Sequence, residues 1–399
     1  MAELRDKALQ FRLALVERLR EQNLLDAPLE AAFKAIPRHL FLPGETIERA
    51  YTDEAIVIKR DADGTILSSS SQPSMMALML RQLRLREGDN VLEIGTGSGY
   101  NAAIMQHLIG ESGTVTSVEL DPQLAQQAEV NLQRARLSAI VNVVQADGAM
   151  GYAPRASYDG IICTTAMRDV PVAWQRQLKT SGVLVVPLWV ATMQVSTAFT
   201  LQGDGSLYSR HNIPCGFIPA RGMAAGARTS VRVGSSLLLS SLEIAKLDST
   251  RVQLLLNEDM ETSNIGMPLD SASYWRSFLP FLVLNVPEGC MFVLYQFIDG
   301  HQGYGMEGGG FALIAPGSAS FVPYDGDGRV HVFGSADTYI ALRMALDSWE
   351  EHGKPGVDRL RLLLTDQPDS SSIQPNTPNA QVKVYSRQYH TLRVWMDLA

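Results

Sequence analysis

The sequence predicts an α/β fold in which a central, mostly parallel sheet carries helices on both faces. Three observations predict it. An apolar strand runs directly into a glycine loop within Val91–Tyr100. Two further strands, at 115–119 and 141–145, each lead into an acidic residue. The later apolar runs at 160–163 and 183–186 are continuous, as in parallel strands buried on both faces.

The segment before the glycine loop is predicted to be mainly helical. Apolar residues from Leu4 to Leu19 recur at helical spacing, and a second helix over 29–36 ends at Pro37. An extended piece follows at 56–58, and a helix over 75–83 opens just after Pro73. These elements are expected to cover the sheet.

The composition changes after Gln202, and we place a boundary near residue 225. Residues 1–225 would form the first domain, and residues 226–399 an accessory α+β domain. Strands are predicted at 236–247, 252–256 and 360–364, and a helix between Ser335 and Gly353. A loop rich in Pro, Ser and Asn is predicted at 367–379.

The glycine loop indicates a small-molecule site. Glycines at 95, 97 and 99 let the backbone approach a ligand closely. Tyr100 stands where a dinucleotide fingerprint carries its last glycine, so an NAD or FAD site is not indicated. The loop is instead suited to S-adenosylmethionine.

Two acidic residues extend this prediction. Glu119, at the end of the second strand, can accept hydrogen bonds from both ribose hydroxyls. Asp147, after the third strand, can accept one from the adenine amino group, and Gly148 leaves room for the ring. The alternative interpretation is that each acid only caps the helix that follows it.

The serine-rich segment 68–74 precedes a predicted helix. Its hydroxyls and helix-start amides can bind an anion, either the carboxylate of the cofactor or that of an acceptor. The alternative is a flexible linker.

The first domain shows no Cys/His pair or nucleophile elbow, which favours an acceptor that is already ionised, such as a carboxylate.

Composition narrows the class of protein. A length of 399 residues allows two domains, and a net charge of −8 argues against a general nucleic-acid binder. The three cysteines are too widely spaced for a disulfide framework or a zinc site, so no metal is expected. The charged amino terminus and the interrupted apolar run 278–297 predict no signal peptide and no membrane span, hence a cytoplasmic protein.

Several separate motifs together resemble the protein-L-isoaspartate O-methyltransferases, in order over residues 28–190. They are Ile36–Pro43, Ala50–Asp53, Ser71–Ala77, Val91–Ala103 and Gly182–Leu188. The resemblance implies a Rossmann-like class I methyltransferase domain. The implied cofactor is S-adenosylmethionine, with S-adenosylhomocysteine as its product.

The resemblance also implies roles for individual residues. Ser71 takes the place of the active-site serine that orients the acceptor carboxylate, and Val186, Pro187 and Leu188 match a segment that contacts the substrate backbone. The family usually has Thr-Ile-Ser where this chain has Ser69-Ser70-Ser71, so the hydroxyl register is open by one residue. The implied cofactor site comprises Ser69, Ser70, Ser74, Glu93, Ile94, Gly95, Thr96, Gly97, Gly99, Glu119, Leu120, Asp147, Gly148 and Thr164.

Three functions are compatible with these residues. The first choice is a peptide-tailoring enzyme, because the long carboxyl-terminal half resembles extended homologues from graspetide and lanthipeptide biosynthesis. It would esterify an aspartyl side chain of a ribosomally made, macrocyclic precursor peptide, and the ester would then close to a succinimide (aspartimide). The second is repair of isoaspartyl residues in proteins. The third is a scaffold that binds the cofactor without catalysis.

The expected partner is a peptide or protein bearing aspartate or isoaspartate, and the sequence does not predict the oligomeric state.

Overall fold

The structure, a computed structural model, describes residues 2–137, 140–227, 229–266, 269–325, 327–366, 371–376 and 381–398. The helices of the first half are α1 (Ala2–Glu21), α2 (Ala27–Ala35), α3 (Ile47–Ala50), α4 (Pro73–Leu83), α5 (Tyr100–Ile109), α6 (Pro122–Arg134) and α7 (Val172–Gln177). Its strands are β1 (Ile56–Arg60), β2 (Ile66–Ser70), β3 (Asn90–Ile94), β4 (Thr114–Glu119), β5 (Val141–Gln145), β6 (Tyr158–Cys163), β7 (Leu178–Val190), β8 (Met193–Leu201) and β9 (Leu207–Cys215).

The central sheet confirms the predicted α/β class. Strands β5, β4, β3, β6 and β7 lie side by side in that order and run parallel, and β8 and β9 continue the sheet antiparallel. The chain moves outward from β3 to β5 and then returns to β6 on the other side of β3. Such a reversal opens a crevice at the carboxyl ends of the strands, where ligands bind in folds of this type.

Caps and prolines determine where the helices begin. Asp26 accepts a hydrogen bond from the amide of Leu29 at the start of α2, and Asp121 accepts two at the start of α6. Each is followed by a proline in the first turn, where the missing N–H has no partner to lose. Helices α1, α2, α4 and α5 bury their apolar residues against one face of the sheet. The helices predicted before the glycine loop are confirmed.

The second half is built around another sheet. Its helices are α8 (Ser249–Leu256), α9 (Ser271–Ser273), α10 (Leu279–Leu284) and α11 (Asp337–Glu351). Its strands are β10 (Ser230–Val233), β11 (Leu237–Ser240), β12 (Met260–Asn264), β13 (Met291–Phe297), β14 (Gln302–Gly303), β15 (Met306–Glu307), β16 (Gly309–Ala315), β17 (Ser318–Pro323), β18 (Arg329–Gly334), β19 (Leu360–Thr365), β20 (Lys383–Ser386) and β21 (Thr391–Met396). The antiparallel second sheet has the order β10-β11-β13-β16-β17-β18-β12, and α11 packs on it.

Two strands predicted in this half are corrected. The strand predicted at 252–256 is wrong, because these residues belong to α8. Asp248 accepts hydrogen bonds from the amides of Thr250 and Arg251, and this cap starts the helix. The strand predicted at 236–247 is limited to β11, and a short 3₁₀ turn follows at Ile244–Lys246. The helix predicted after Ser335 is confirmed as α11.

Between α9 and α10 the helix widens into a single π turn, Tyr274–Phe278. Pro280 follows at the start of α10; it has no N–H to donate, and its ring crowds the carbonyl four residues earlier. The regular α pattern therefore cannot continue through this point. The turn buries Tyr274 and Phe278 while leaving Trp275 half-buried and Arg276 exposed.

The boundary predicted near residue 225 marks a change of sheet, but the later chain returns to the first one. Strands β19, β21 and β20 extend it beyond β9, so the central sheet has ten strands. One apolar core contains Trp174 and Phe199 from the first half together with Phe278, Phe311 and Trp349 from the second. The two halves thus share a sheet and a core.

None of the described helices combines the length and the apolar character needed to cross a lipid bilayer. The cytoplasmic location stays a prediction.

Of the loop predicted at 367–379, only residues 371–376 are described, and they have no regular secondary structure; the remainder lies outside the described residues.

Candidate active site

A cavity of about 360 Å³ opens at the carboxyl ends of β3, β4 and β6. Small-molecule sites typically enclose about 300–1,000 Å³. Most of the predicted catalytic and cofactor residues line it: Ser69, Ser70, Ser71, Glu93, Ile94, Gly95, Thr96, Gly97, Glu119, Leu120, Asp147, Gly148 and Thr164. The parallel sheet therefore brings segments that are far apart in the sequence to one edge.

Two of the predicted cofactor residues lie outside the cavity wall. The amide of Ser74 donates a hydrogen bond to Oδ1 of Asp53 at 2.9 Å, which holds the start of α4. Gly99 precedes α5 and packs against Ala128 of α6, where a Cβ would lie 3.4 Å from the Ala128 methyl group. Both positions organise the segments that carry the site.

The predicted substrate segment also lies outside the cavity wall. Val186 and Leu188 are fully buried within β7. The carbonyl of Pro187 accepts a hydrogen bond from the amide of Met167 at 2.8 Å. Met167 itself lines the cavity, so this segment supports the wall from behind.

Gly95 is required by the loop that follows β3. Its φ is +95°, and a Cβ there would lie 2.5 Å from Oγ1 of Thr164. The Thr164 hydroxyl donates to the carbonyls of Ile94 and Gly95 at 3.1 and 2.8 Å, which fixes the close approach of the two segments. A side chain at position 95 would therefore be strained and would collide with the opposite wall.

Glu119 connects the end of β4 to the glycine loop. Its Oε2 accepts a hydrogen bond from the amide of Gly97 at 3.0 Å, and its Oε1 accepts one from the amide of Asp121 at 3.1 Å. A carboxylate can accept about four hydrogen bonds, so capacity is left for two ligand hydroxyls. The capping role and the ligand role proposed from the sequence are therefore compatible.

Asp147 and Gly148 form another part of the wall. Asp147 accepts hydrogen bonds from the amides of Ala149 at 2.9 Å and Met223 at 2.8 Å. A Cβ on Gly148 would lie 2.5 Å from Cγ2 of Ile94, so glycine permits the close packing of these two wall residues. The indole N–H of Trp174, which the sequence analysis did not select, donates to the Gly148 carbonyl at 2.8 Å.

Glu93 is fully buried at the end of β3. It accepts hydrogen bonds from the Ser117 hydroxyl at 2.5 Å and from the Asn101 amide group at 2.8 Å. Burial raises the pKa of Glu93 to about 7; the two hydrogen bonds lower it, and the neighbouring Glu119 carboxylate raises it. Glu93 thus links β3, β4 and α5 and holds a proton over much of the weakly acidic range.

The serine segment is anchored by Arg38, to which the sequence analysis gave no role of its own. The Arg38 side chain is completely buried. Its Nη1 donates to the carbonyls of Ala50 at 3.2 Å and Thr52 at 2.9 Å, and its Nη2 to those of Glu54 at 3.2 Å and Ser71 at 2.9 Å. Within the described residues no carboxylate lies at ion-pair distance from it. Backbone carbonyls therefore hold the two Nη atoms, and the Tyr100 ring centroid lies 5.9 Å from the guanidinium carbon, whereas Nε has no hydrogen-bond partner among the described residues. The contact with the Ser71 carbonyl fixes the position of Ser71.

Two further segments of the wall were not predicted from the sequence. One is the β1–β2 hairpin, which contributes Val57 and Ile66. The other, which we call the strap, is residues 216–224. The strap is held by hydrogen bonds from Ala166 to the carbonyl of Ile218 and from Met223 to Asp147. The composition of the strap indicated only a domain boundary. The apolar residues 217–219 were the one feature of its sequence that indicated packing against the rest of the protein.

The residues present fit S-adenosylmethionine. Gly95 and Gly148 keep the backbone close to the wall residues Thr164 and Ile94, with which a Cβ at either position would collide. Glu119 and Asp147 place carboxylate oxygens at two separate points of the same wall, suited to a nucleoside with hydroxyl and amino donors. The fold and the site together define a class I, Rossmann-like methyltransferase that uses S-adenosylmethionine.

Comparison with known proteins identifies the family. Residues 10–225 match the family model described as Protein-L-isoaspartate(D-aspartate) O-methyltransferase. A protein-L-isoaspartate O-methyltransferase from Methanopyrus kandleri is 37% identical over 209 residues, covering 52% of this chain and 90% of the relative. One from Ignicoccus hospitalis is 44% identical over 161 residues, covering 39% of this chain and 71% of the relative. The chain belongs to the protein-L-isoaspartate O-methyltransferase family and is an S-adenosylmethionine-dependent protein carboxyl O-methyltransferase.

A solved structure bears on the carboxyl-terminal half. A chain named protein-L-isoaspartate O-methyltransferase matches with a TM-score of 0.51 and 25% identity, over 88% of this chain and 96% of that chain. Because residues 1–225 are little more than half of the protein, this match extends into the second half. A long carboxyl-terminal half is therefore not specific to peptide-tailoring homologues, and the resemblance to their extended form is not confirmed.

Replacing Glu119 with alanine is expected to weaken binding of S-adenosylhomocysteine by about 2 kcal/mol, roughly 30-fold. The substitution removes the acceptor for the ligand hydroxyls and also releases the Gly97 amide. Isothermal titration calorimetry measures the change. Glu129→Ala, at an exposed position on α6, is the matched control and should bind like the parent protein. Equal affinities of Glu119→Ala and the parent would contradict the assignment.

Proposed function

We propose that this protein methylates the free α-carboxylate of L-isoaspartyl residues in peptides and proteins, the function that the sequence analysis ranked second. One observation carries the proposal. Every residue lining the cavity falls within residues 10–225, the part that matches the isoaspartate family. Peptide tailoring was favoured because of the second half of the chain, which contributes no residue to this wall among those described.

The ionisable groups in the cavity wall agree with a carboxylate acceptor. Among the described lining residues they are Glu93, Glu119, Asp147 and Arg221, without a histidine, lysine, cysteine or tyrosine. An α-carboxyl group has a pKa of about 3.5 and is therefore already an anion at pH 7, so no general base has to remove a proton from it. An amine or hydroxyl acceptor would more often need such a base.

When bound, S-adenosylmethionine supplies a methyl group on a sulfonium sulfur, and the acceptor oxygen bonds to that methyl carbon while the sulfur keeps the electron pair of the broken bond. The protein's own contribution is positioning and the exclusion of water. Ser71 lies at the cavity wall with its carbonyl held by Arg38. The strap and the β1–β2 hairpin enclose the cavity from two other sides.

A matched pair of peptides tests the proposal. The two peptides differ only in carrying isoaspartate or aspartate at one position, and each is incubated with the protein and S-adenosylmethionine. Mass spectrometry is expected to show a gain of one methyl group on the isoaspartyl peptide alone. Methylation of neither peptide, or of the aspartyl peptide alone, would overturn the proposed function; the latter result would restore the tailoring hypothesis.

Replacing Ser71 with alanine is expected to lower kcat on the isoaspartyl peptide by about tenfold, the equivalent of one hydrogen bond of about 1.4 kcal/mol. Binding of S-adenosylhomocysteine should change less, because the other contacts of the cavity are kept. Ser69→Ala is the matched control within the same segment and tests the hydroxyl register. If Ser69→Ala lowers kcat and Ser71→Ala does not, the orienting hydroxyl is assigned to the wrong serine.

A further inference from the structure

We propose that the flanking residues of the peptide substrate bind in a second groove, between α4, β9 and the π turn, and that Trp275 and Arg276 recognise them. The inference rests on the proposed function and extends it to the substrate's neighbouring residues. The groove, which we call the flank groove, encloses about 690 Å³. Its walls include Leu24, Met75, Leu78, Pro214, Trp275 and Arg276.

The flank groove adjoins the active-site cavity. Met75 and Gly216 line both spaces. Ser71 lies on the cavity wall, and Ser74, less than one helical turn further along, lies on the groove wall. We infer that a peptide whose carboxylate reaches Ser71 continues past the start of α4 and Gly216 into the groove. Thirteen of the predicted catalytic and cofactor residues line the first space, and only Ser74 among them lines the second, where its amide is bonded to Asp53.

The groove wall suits an apolar side chain. Leu24, Leu78 and Pro214 line it together with the half-buried Trp275. The Trp275 ring packs against Tyr324 with 5.5 Å between the ring centroids, so its orientation is already restricted before a ligand binds. A preorganised aromatic ring loses little conformational entropy on contact with a ligand. We therefore assign an apolar residue of the peptide to this surface.

The charge of the groove comes from Arg276. This side chain is exposed and makes no hydrogen bond or ion pair with any residue that the structure describes, although Asp270, which caps α9, is close enough to interact with it electrostatically. No aspartate or glutamate stands among the described residues of the groove wall. An unpaired guanidinium beside an apolar wall favours a peptide with an acidic residue near its apolar one. The occupant is thus an apolar and acidic stretch flanking the isoaspartate.

Peptide length and charge test this inference. The probes are an isoaspartyl tetrapeptide and two dodecapeptides, which reach about 40 Å when extended. One dodecapeptide has glutamate and leucine in its flanks, and the other has lysine and leucine. The parent protein is expected to show the highest kcat/KM on the glutamate dodecapeptide.

The charge-reversed variant Arg276→Glu is expected to raise KM for the glutamate dodecapeptide by about fivefold, the size of an exposed ion pair of about 1 kcal/mol. Its kcat should be unchanged, its activity on the tetrapeptide unaltered, and its KM for the lysine dodecapeptide lower. Trp275→Ala should raise KM for both dodecapeptides. Arg232→Glu, at an exposed position on β10, is the control for charge alone.

The outcomes separate the two proposals. If all three peptides are methylated by the parent with equal kcat/KM, and Arg276→Glu behaves like Arg232→Glu, the flank groove is overturned and the proposed function stands. If no isoaspartyl peptide is methylated, the proposed function fails and the groove assignment fails with it. A change in kcat rather than KM on Arg276→Glu would also contradict a role in binding the flanks.

Discussion

Replacing Arg38 with methionine is expected to lower the free energy of unfolding by about 4 kcal/mol. The guanidinium is completely buried and donates to carbonyls of two separate segments, 50–54 and 70–71. Methionine fills most of the volume but leaves those carbonyls without donors, and each hydrogen bond from a charged group is worth about 1.5–3 kcal/mol. The individual losses are not additive, because the segments relax when they are released.

The same substitution is expected to reduce kcat on an isoaspartyl peptide, because Arg38 positions Ser71. Urea denaturation measures stability, and steady-state kinetics separates kcat from KM. Arg38→Lys keeps the charge but loses the planar fork of donors, so it should recover only part of both losses. Arg49→Met, at an exposed position on α3 nearby, is the control and should change stability by no more than about 0.5 kcal/mol. A stable, fully active Arg38→Met protein would show that the carbonyl cluster needs no cation.

The second large effect is a pH dependence that Glu93 is expected to impose on stability. Burial raises the pKa of Glu93 from 4.5 to about 7, so the folded protein binds a proton here that the unfolded chain releases at lower pH. The stabilising contribution is fully present below pH 4.5 and is lost as the pH rises through 7. At about 1.4 kcal/mol per pKa unit, the loss over this window is about 3 kcal/mol.

The comparison with Glu93→Gln isolates this contribution. The glutamine side chain can keep the hydrogen bond from Asn101 and can donate to Ser117, whose hydroxyl then turns to Thr96, 2.6 Å away. The stability of Glu93→Gln relative to the parent should therefore rise between pH 5 and 7, when both are measured by denaturant unfolding without cofactor. Glu129→Gln is the exposed control and should track the parent. A difference that does not change with pH would show that Glu93 titrates normally in the folded protein.

Local signals in the sequence predicted much of the candidate site. The glycine loop requires positive φ and close approach at Gly95, and both requirements are properties of a few consecutive residues. Glu119 and Asp147 follow apolar strands, and the carboxyl ends of parallel strands must meet at one edge of the sheet. For this reason the residues predicted at the ends of three strands line one cavity.

The parts that were missed depend on contacts between distant segments. Arg38 contacts Ser71 across more than thirty residues, and its motif contains no sign of which carbonyls it binds. The strap resembles a linker in composition, and only its hydrogen bonds to Ala166 and Asp147 make it a wall of the cavity. The prediction of a strand at 252–256 was wrong because a short apolar run is compatible with both helical and strand periodicity. The N-cap at Asp248 starts a helix at this point.

By itself the sequence determined the α/β class, the order of the first strands and the chemistry of the cofactor pocket, since each depends on short-range spacing and on backbone geometry. Only the tertiary structure decided that β19, β20 and β21 return to the first sheet and that the π turn brings Trp275 beside α4. Strand pairing and groove formation bury surface between segments more than a hundred residues apart. The free energy gained by burying this surface depends on how well the two segments fit together, so it cannot be read from the sequence of either segment alone.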